Sequence, residues 1–321
     1  MKHNVVHISQ TPLVGSPGDI VHALNAHTKY DSSWIFLEDY PEPLKGKFGA
    51  NAVFYEKSTE DVCKLLIQKA NIIHIHNTIA PTFISFLEKY KNIDVKFVYQ
   101  VHNARREGPI FFNMEDYMPF RFDANLVVAQ HQVRSMPHYT MVPNIVNIKP
   151  RLHLLQNNEK PRLLFLPSHK RSDNRWGIKT TNELEEILDS LHKLKLIELV
   201  SPQEKMTPNI LANLRKTTHI SFDEIFTGSF HRVSLEAFAC GNVAINGADD
   251  IAILTMMSLL GTNEKPPFYF INQNDISNGF LELFNNKEKI RKFQQDGYDY
   301  FNKYLKPEAL IQHYTKIYDT L

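Results

Sequence analysis

The chain has 321 residues, 43% of them apolar, which is more than one ordinary core takes up, so two domains of similar size are expected. Thirty-six basic against thirty-five acidic residues leave a formal charge of +1. That balance argues against nucleic acid or an anionic surface as the main partner and requires any anionic ligand to be met by local charge.

Cys63 and Cys240 each lie inside an apolar helical pattern and read as buried thiols rather than a disulfide or metal pair. No signal peptide is visible, and no run approaches the roughly twenty apolar residues of a membrane span. A cytoplasmic protein is expected, peripheral to the inner face of the membrane at most.

Asn4 to Ser9 reads as a buried strand, and the loop TPLVGSPGDI leads into a helical pattern through Val21 and Leu24. Gly15 and Gly18 stand at GxxG spacing, too little for a dinucleotide fingerprint and without the lysine of a P-loop. At this level Gly15 is either a turn glycine between Pro12 and Pro17 or a point of close approach to a ligand.

Strand-like runs recur at Trp34 to Leu37, Ala52 to Tyr55, Ile72 to His76, Lys96 to Val101 and Asn125 to Ala129. They alternate with helical patterns at Thr59 to Ala70, with Ser58 as the expected cap, and at Thr82 to Tyr90. Such alternation predicts a parallel sheet, whose ligands sit at the carboxyl ends of the strands.

Those ends are polar. One carries His74, His76 and Asn77, and the next His102, Asn103, Arg105, Arg106 and Glu107. No carboxylate or cysteine stands at ligand spacing from the histidines, so hydrogen-bonding roles are favoured over a metal site. His102 is either a satisfied core histidine or a site residue, and its polar neighbours favour the second. Arg105 and Arg106 suit a phosphate, an acidic acceptor or a solvated loop equally.

A strand, a short helix and a second strand run from Asn125 to Pro143 and lead toward an interdomain connection, with Leu155 to Lys160 as the linker candidate. Arg162 to Pro167 restarts the rhythm. Lys170, Arg171, Arg175 and Lys179 follow that strand, four cations in ten residues, fit for phosphate or for a basic solvated loop. A helix is expected at Asn182 to Leu194, with strands at Leu196 to Val200 and His219 to Phe222.

The stretch from Asp223 to Ile245 reads as loop, helix and strand, with Gly228 and Ser229 opening the helix and Gly241 closing it. Backbone amides at Gly228, Ser229 and Phe230 would hold a nucleotide diphosphate, and Glu236, two turns in, could accept bonds from ribose hydroxyls. His231 and Arg232 add charge there or point to solvent. Helices are expected at Ile251 to Leu260, Asp275 to Phe284 and Lys287 to Tyr304, with a strand within PPFYFI. A last helix begins at Pro307, with Leu310, Ile311, Tyr314, Ile317 and Leu321 as its apolar stripe.

SLEAFACGNVAI resembles a signature segment of GT-B-fold glycosyltransferases of the family 4 type. VYQVHN, VPNIVN and the Pro167–Ser168 pair before the basic loop are similar to that family's segments and occur in its order. The resemblance implies an α/β GT-B fold, two Rossmann-like parallel-sheet domains facing a central cleft. An acceptor-side domain would span 1–150 and a nucleotide-sugar donor domain 151–305, with a helix at 306–321 crossing back.

The same resemblance assigns Glu236 to the donor ribose and His102 to the donor sugar. Gly15, Ser168, Lys170, Arg171, Arg175, Gly228, Ser229, Phe230 and His231 would lie around the donor. His76, Asn77, Asn103, Arg105 and Arg106 would lie on the acceptor side. One departure stands out: the family usually carries an acid eight positions before the glutamate, where this chain has Gly228, with Asp223 and Glu224 nearby as substitutes.

The implied activity is a metal-independent, retaining transfer of sugar from a nucleotide-sugar to a hydroxyl acceptor, without a cofactor. Its acceptor would be a glycan or lipid-linked saccharide in surface polysaccharide or glycoconjugate synthesis. Two other readings stay open. A nucleotide-sugar epimerase would need acid and base carboxylates, with Glu107, Glu115 and Asp116 as candidates, and a degenerate module would bind glycan or protein without turnover.

Overall fold

The computed structural model describes residues 3–38, 51–102, 117–166, 179–202 and 206–321. They fall into two compact units, one drawn from Met1–Arg105, Ile110–Asn147 and Pro307–Leu321, the other mainly from Ile148–Lys306. Among the described residues no helix is long and apolar enough to cross a membrane.

The first unit runs β1 (Asn4–Ser9), α1 (Ser16–His27), β2 (Asp31–Phe36), β3 (Ala52–Phe54), α2 (Glu60–Lys69), β4 (Ile72–His76), α3 (Pro81–Tyr90), β5 (Lys96–Val101), β6 (Ala124–Val128) and β7 (Thr140–Val142). Its seven described strands lie in the order β3-β2-β1-β4-β5-β6-β7, every pair parallel. Strand order reverses between β1 and β4, where open sheets of this kind bind ligands.

Alternation along the strands splits this sheet into two unlike faces. Val6, Ile8, Ile73, Ile75 and Tyr99 enter an apolar cluster with Ile67, Phe83 and Leu87 of α2 and α3. The opposite face buries His7, His74, His76 and Gln100, all fully enclosed. The C-terminal helix, Pro307–Tyr318, belongs to this polar face: Tyr318 Oη lies 2.7 Å from His74 Nδ1, and Gln100 Nε2 donates to Tyr314 Oη at 3.2 Å.

The second unit runs β8 (Arg162–Phe165), α4 (Asn182–Lys193), β9 (Glu198–Val200), α5 (Pro208–Arg215), β10 (Ile220–Phe222), α6 (Arg232–Ala239), β11 (Val243–Asn246), α7 (Asp250–Leu260), β12 (Tyr269–Phe270), α8 (Ile276–Phe284) and α9 (Lys287–Tyr304). Its five described strands, all parallel, lie in the order β12-β11-β10-β8-β9. The reversal falls between β8 and β10, so Asp223, immediately after β10, stands beside it.

Several local expectations need correction. The Leu155 to Lys160 segment is no linker: Leu155 is fully buried, its amide donates to Gln294 Oε1 at 3.0 Å, and Lys287 Nζ donates to the Asn157 and Glu159 carbonyls. Thr59, not Ser58, precedes α2, and its hydroxyl donates to Phe54 O instead of capping. Helix α6 starts at Arg232 with His231 as cap, leaving Gly228, Ser229 and Phe230 in the loop before it. Tyr318, not Leu321, completes the buried stripe of the last helix. Helix α5 was not anticipated, although Thr207 and Pro208 form a standard start and Thr207 Oγ1 accepts from Ile210 N.

Candidate functional site

In the second unit the polar centre forms where β10 ends and α6 begins. The Asp223 side chain is only 4% exposed and is held from three directions: His231 N donates to Oδ2 at 2.7 Å, His231 Nδ1 to Oδ1 at 2.9 Å, and Ser234 Oγ to Oδ2 at 2.7 Å. Burial alone would raise its carboxyl, but the His231 and Ser234 contacts and the Lys179 charge hold it below the ordinary range. Asn246 Nδ2 fixes Ser234 Oγ at 2.9 Å.

Lys179 Nζ lies 3.1 Å from His231 Nε2. An ammonium only donates, so Nε2 accepts, and the remaining proton sits on Nδ1 facing Asp223. Lys179, His231 and Asp223 therefore form one line, cation to carboxylate, at the positive end of a helix.

Glu224 turns its carboxylate into its own loop. It is fully buried and accepts from the Phe226 and Thr227 amides at 2.6 and 2.8 Å and from the Thr227 hydroxyl, closing the loop that carries Gly228. Gly228 itself has φ of +76°, and a Cβ there would lie 2.9 Å from Asp249 Oδ2. The volume of a residue-228 side chain is thus occupied by the Asp249 carboxylate, whose Oδ1 caps α7 by accepting from Ala252 N. Ser229 and Phe230 are buried, the Phe230 ring packing on Phe268.

Glu236 projects from α6 between two arginines. Arg215 Nη1 reaches Oε2 at 2.5 Å, and Arg232 Nη2 reaches Oε1 at 3.2 Å. An ionised carboxylate has about four acceptor sites, so this pairing leaves capacity for a hydroxyl. Sequence reasoning missed Arg215, twenty-one positions earlier, because nothing in a helix pattern says where a distant arginine folds.

In the first unit the sequence-flagged His76, Asn77 and His102 come together at the carboxyl ends of β4 and β5. His76 Nδ1 lies 2.7 Å from His102 Nε2. Asn77 adopts φ of +58°, and its Oδ1 accepts from His102 N at 2.8 Å. Gln132 Nε2 donates to His102 O at 2.6 Å. His7, not singled out from the sequence, joins them, with Nδ1 2.9 Å from His76 Nε2. Burial, with the charge of His102, pushes His7 down to about 3, and burial together with the neighbouring rings keeps His74 and His76 well below 6.5.

Ring nitrogens of His7, His74 and His76 lie within 4.8 Å of one another, a spacing that raises the metal question. Their rings are stacked instead of convergent, His74 on His76 at 4.3 Å and 19°, and His7 on His76 at 5.1 Å and 18°. Metal-bound imidazoles point their in-plane lone pairs at a single ion, and near-parallel stacked rings do not. Gly15, in a left-handed conformation, caps α1 just after β1. Ser168, Lys170, Arg171 and Arg175, and on the other side Asn103, Arg105 and Arg106, lie outside the described residues, as do Glu107, Glu115 and Asp116.

No protein-family model and no curated protein sequence matches this chain. Among solved structures it is similar to a glycosyltransferase from Rickettsia africae, with TM-score 0.56 and 13% identity, covering 99% of this chain and 98% of that one. It is similar to the sucrose-phosphate synthase of Thermosynechococcus elongatus, with TM-score 0.56 and 11% identity over 99% of each. It is also similar to S. aureus MnaA in a UDP co-structure, with TM-score 0.50 and 12% identity over 99% and 98%. The chain has the GT-B fold.

Proposed function

We propose that the protein is a metal-independent glycosyltransferase that moves a sugar from a nucleotide-sugar to a hydroxyl acceptor. The observation that carries this reading is the Lys179–His231–Asp223 line at the start of α6, beside the strand-order reversal of the second unit. Breaking the anomeric C–O bond leaves negative charge on the departing nucleotide diphosphate. Without a metal, that charge must be met by cations and helix-terminal amides.

Lys179 supplies one cation, and Lys170, Arg171 and Arg175, on the same connection in sequence, would supply the others. Glu236 would accept bonds from the ribose, and His102 would contact the donor sugar. No protein nucleophile is assigned, in keeping with a retaining transfer of the family 4 type. The UDP co-structure on a similar fold supports testing nucleoside diphosphates first. A glycan or lipid-linked saccharide built at the inner membrane face is the acceptor class this reading favours.

A thermal-shift series with UDP, GDP, ADP, CMP and their sugar conjugates, with and without EDTA, tests it. Ligand at a hundred times its dissociation constant adds about 2.7 kcal/mol. Selective stabilisation by one nucleotide, unaffected by EDTA and reduced in Lys179→Gln, supports the transferase. Release of nucleotide from its sugar conjugate without any acceptor favours an epimerase. No response to any nucleotide sinks both and leaves a binding module.

A further inference from the structure

Arg215 and Glu236 meet beside a turn that is itself pinned in place. Arg215 is the last residue of α5, its side chain only 2% exposed, and its Nη1 reaches Glu236 Oε2. The turn after it is fastened to the connection between α6 and β11. Thr218 N donates to Arg215 O at 3.2 Å, and the fully buried Asn242 donates from Nδ2 to Thr218 O at 2.6 Å. Arg232, one helical turn before Glu236, holds the other carboxylate oxygen. The Glu236 side chain is 12% exposed, so solvent reaches it but hardly reaches the arginine of α5 paired with it.

Stability alone does not account for this arrangement. Buried ion pairs are often no more stable than apolar residues of the same volume. This one also leaves Arg215 Nε buried without a hydrogen-bond partner, a cost that an apolar side chain would not carry. What the pair does provide is orientation. With one arginine N–H on each oxygen, the carboxylate is fixed in rotation, and each oxygen keeps one lone pair. Two parallel acceptors of that kind match two hydroxyls on neighbouring carbons.

We propose that Arg215 is a positioning residue: it orients the Glu236 carboxylate to take both hydroxyls of a vicinal cis-diol, which makes the site prefer a ribonucleotide to its 2′-deoxy counterpart. The inference rests on the glycosyltransferase reading, in which Glu236 meets the donor ribose, and it adds a residue of α5 to that contact. Arg232 alone would leave the carboxylate free to turn about its last bond, so that one hydroxyl is still held but the pair is not. Hydrogen bonds to a charged acceptor are strong enough that losing one hydroxyl weakens binding about tenfold or more.

Titration calorimetry of the full chain with UDP, GDP, ADP and CMP, each beside its 2′-deoxy counterpart, tests the proposal in wild type, Arg215→Lys and Arg215→Met. Glu236 keeps Arg232 in both variants, so its carboxylate is not left unpaired. The expected result is a wild-type preference of about tenfold or more for one ribonucleotide over its deoxy form, falling to about twofold or less in Arg215→Met and lying between in Arg215→Lys. A merely structural Arg215 would weaken both ligands alike. An unchanged ratio in Arg215→Met therefore overturns the proposal, as does an unchanged ratio in Arg215→Lys should the methionine variant not fold. A wild type that binds a ribonucleotide and its deoxy form equally well also overturns it, and that measurement needs no variant. If none of the four nucleotides binds, the transferase reading falls and takes the proposal with it, an outcome distinct from nucleotide binding whose ribose preference ignores Arg215.

Discussion

Arg215 and Glu236, twenty-one residues apart in sequence, form a buried ion pair in which Nη1 and Oε2 are 2.5 Å apart and the guanidinium side chain is only 2% exposed. The ribose-binding glutamate proposed for this chain is therefore also a structural counter-ion. Removing one partner of a buried pair costs about 3–5 kcal/mol, because the other charge is left uncompensated. Glu236→Ala is expected to lower unfolding stability by that amount. Glu236→Gln, which still accepts from Arg215, should lose less than half as much in urea melts. Equal losses in the two variants would show that the carboxylate charge alone, and not the hydrogen bond from Arg215, carries the contribution of Glu236. Ligand binding is then best compared between wild type and Glu236→Gln.

Acid should destabilise the first unit through its histidines. His7, held at about 3, and His74 and His76, held well below 6.5, stay neutral in the folded chain, whereas the unfolded chain protonates all three near 6.5. The unfolded state then binds more protons than the folded one below pH 6.5, so stability is fully present above that value and falls as pH drops toward 3. Below pH 6.5, each histidine contributes about 1.4 kcal/mol per pH unit for as long as it stays neutral in the folded chain. Urea melts at pH 8, 6 and 5 should show this slope, made shallower by one proton in His74→Phe. Parallel slopes in the two proteins would contradict it.

The βα rhythm was legible because buried parallel strands and amphipathic helices write different periods, so β1, β4, β5, α4 and α9 fall close to where the sequence puts them. What escaped were features set by distant partners. Leu155 to Lys160 looked like a polar linker, yet Gln294 and Lys287 of α9 hold it down. His7 sits in a short strand where one histidine among apolar residues gives no signal. Only the register His7↔His74 and Ser9↔His76 brings the rings together. The start of α6 was misplaced because Gly228 and Ser229 look like a helix opening, whereas Asp223 pins the His231 amide three residues later.

Asn77 should be unusually sensitive for a residue at a strand end. Its φ of +58° is a left-handed conformation that asparagine tolerates better than alanine, and its side chain accepts from His102 N. Asn77→Gly keeps the conformation and loses the bond. Asn77→Ala loses both and should be the less stable of the two by about 1 kcal/mol, reversing the usual order of these residues. Denaturant midpoints of the two variants decide it, and an alanine variant as stable as the glycine one would show that the strain is relieved by a local shift.

Gly228 and Asp249 account for the acid missing eight positions before Glu236. A glutamate at 228 would have to adopt φ of +76°, which costs a side-chain-bearing residue about 1–2 kcal/mol, and its Cβ would press on Asp249 Oδ2 at 2.9 Å. Asp249 cannot withdraw freely, because its Oδ1 caps α7 through Ala252 N, a contact worth about 1 kcal/mol. Gly228→Glu should therefore lower stability by about 2–3 kcal/mol, and adding Asp249→Ser, which keeps a capping oxygen, should recover part of it. Asp249→Asn tests whether the carboxylate there has taken over a ligand-binding role: it preserves the cap and removes the charge. If it has, Asp249→Asn will melt within about 0.5 kcal/mol of wild type while losing the extra stabilisation that the sugar conjugate gives over the bare nucleotide. If that increment survives, Asp249 serves the loop and the helix cap alone, and a 228-side acid plays no part in gripping the donor sugar.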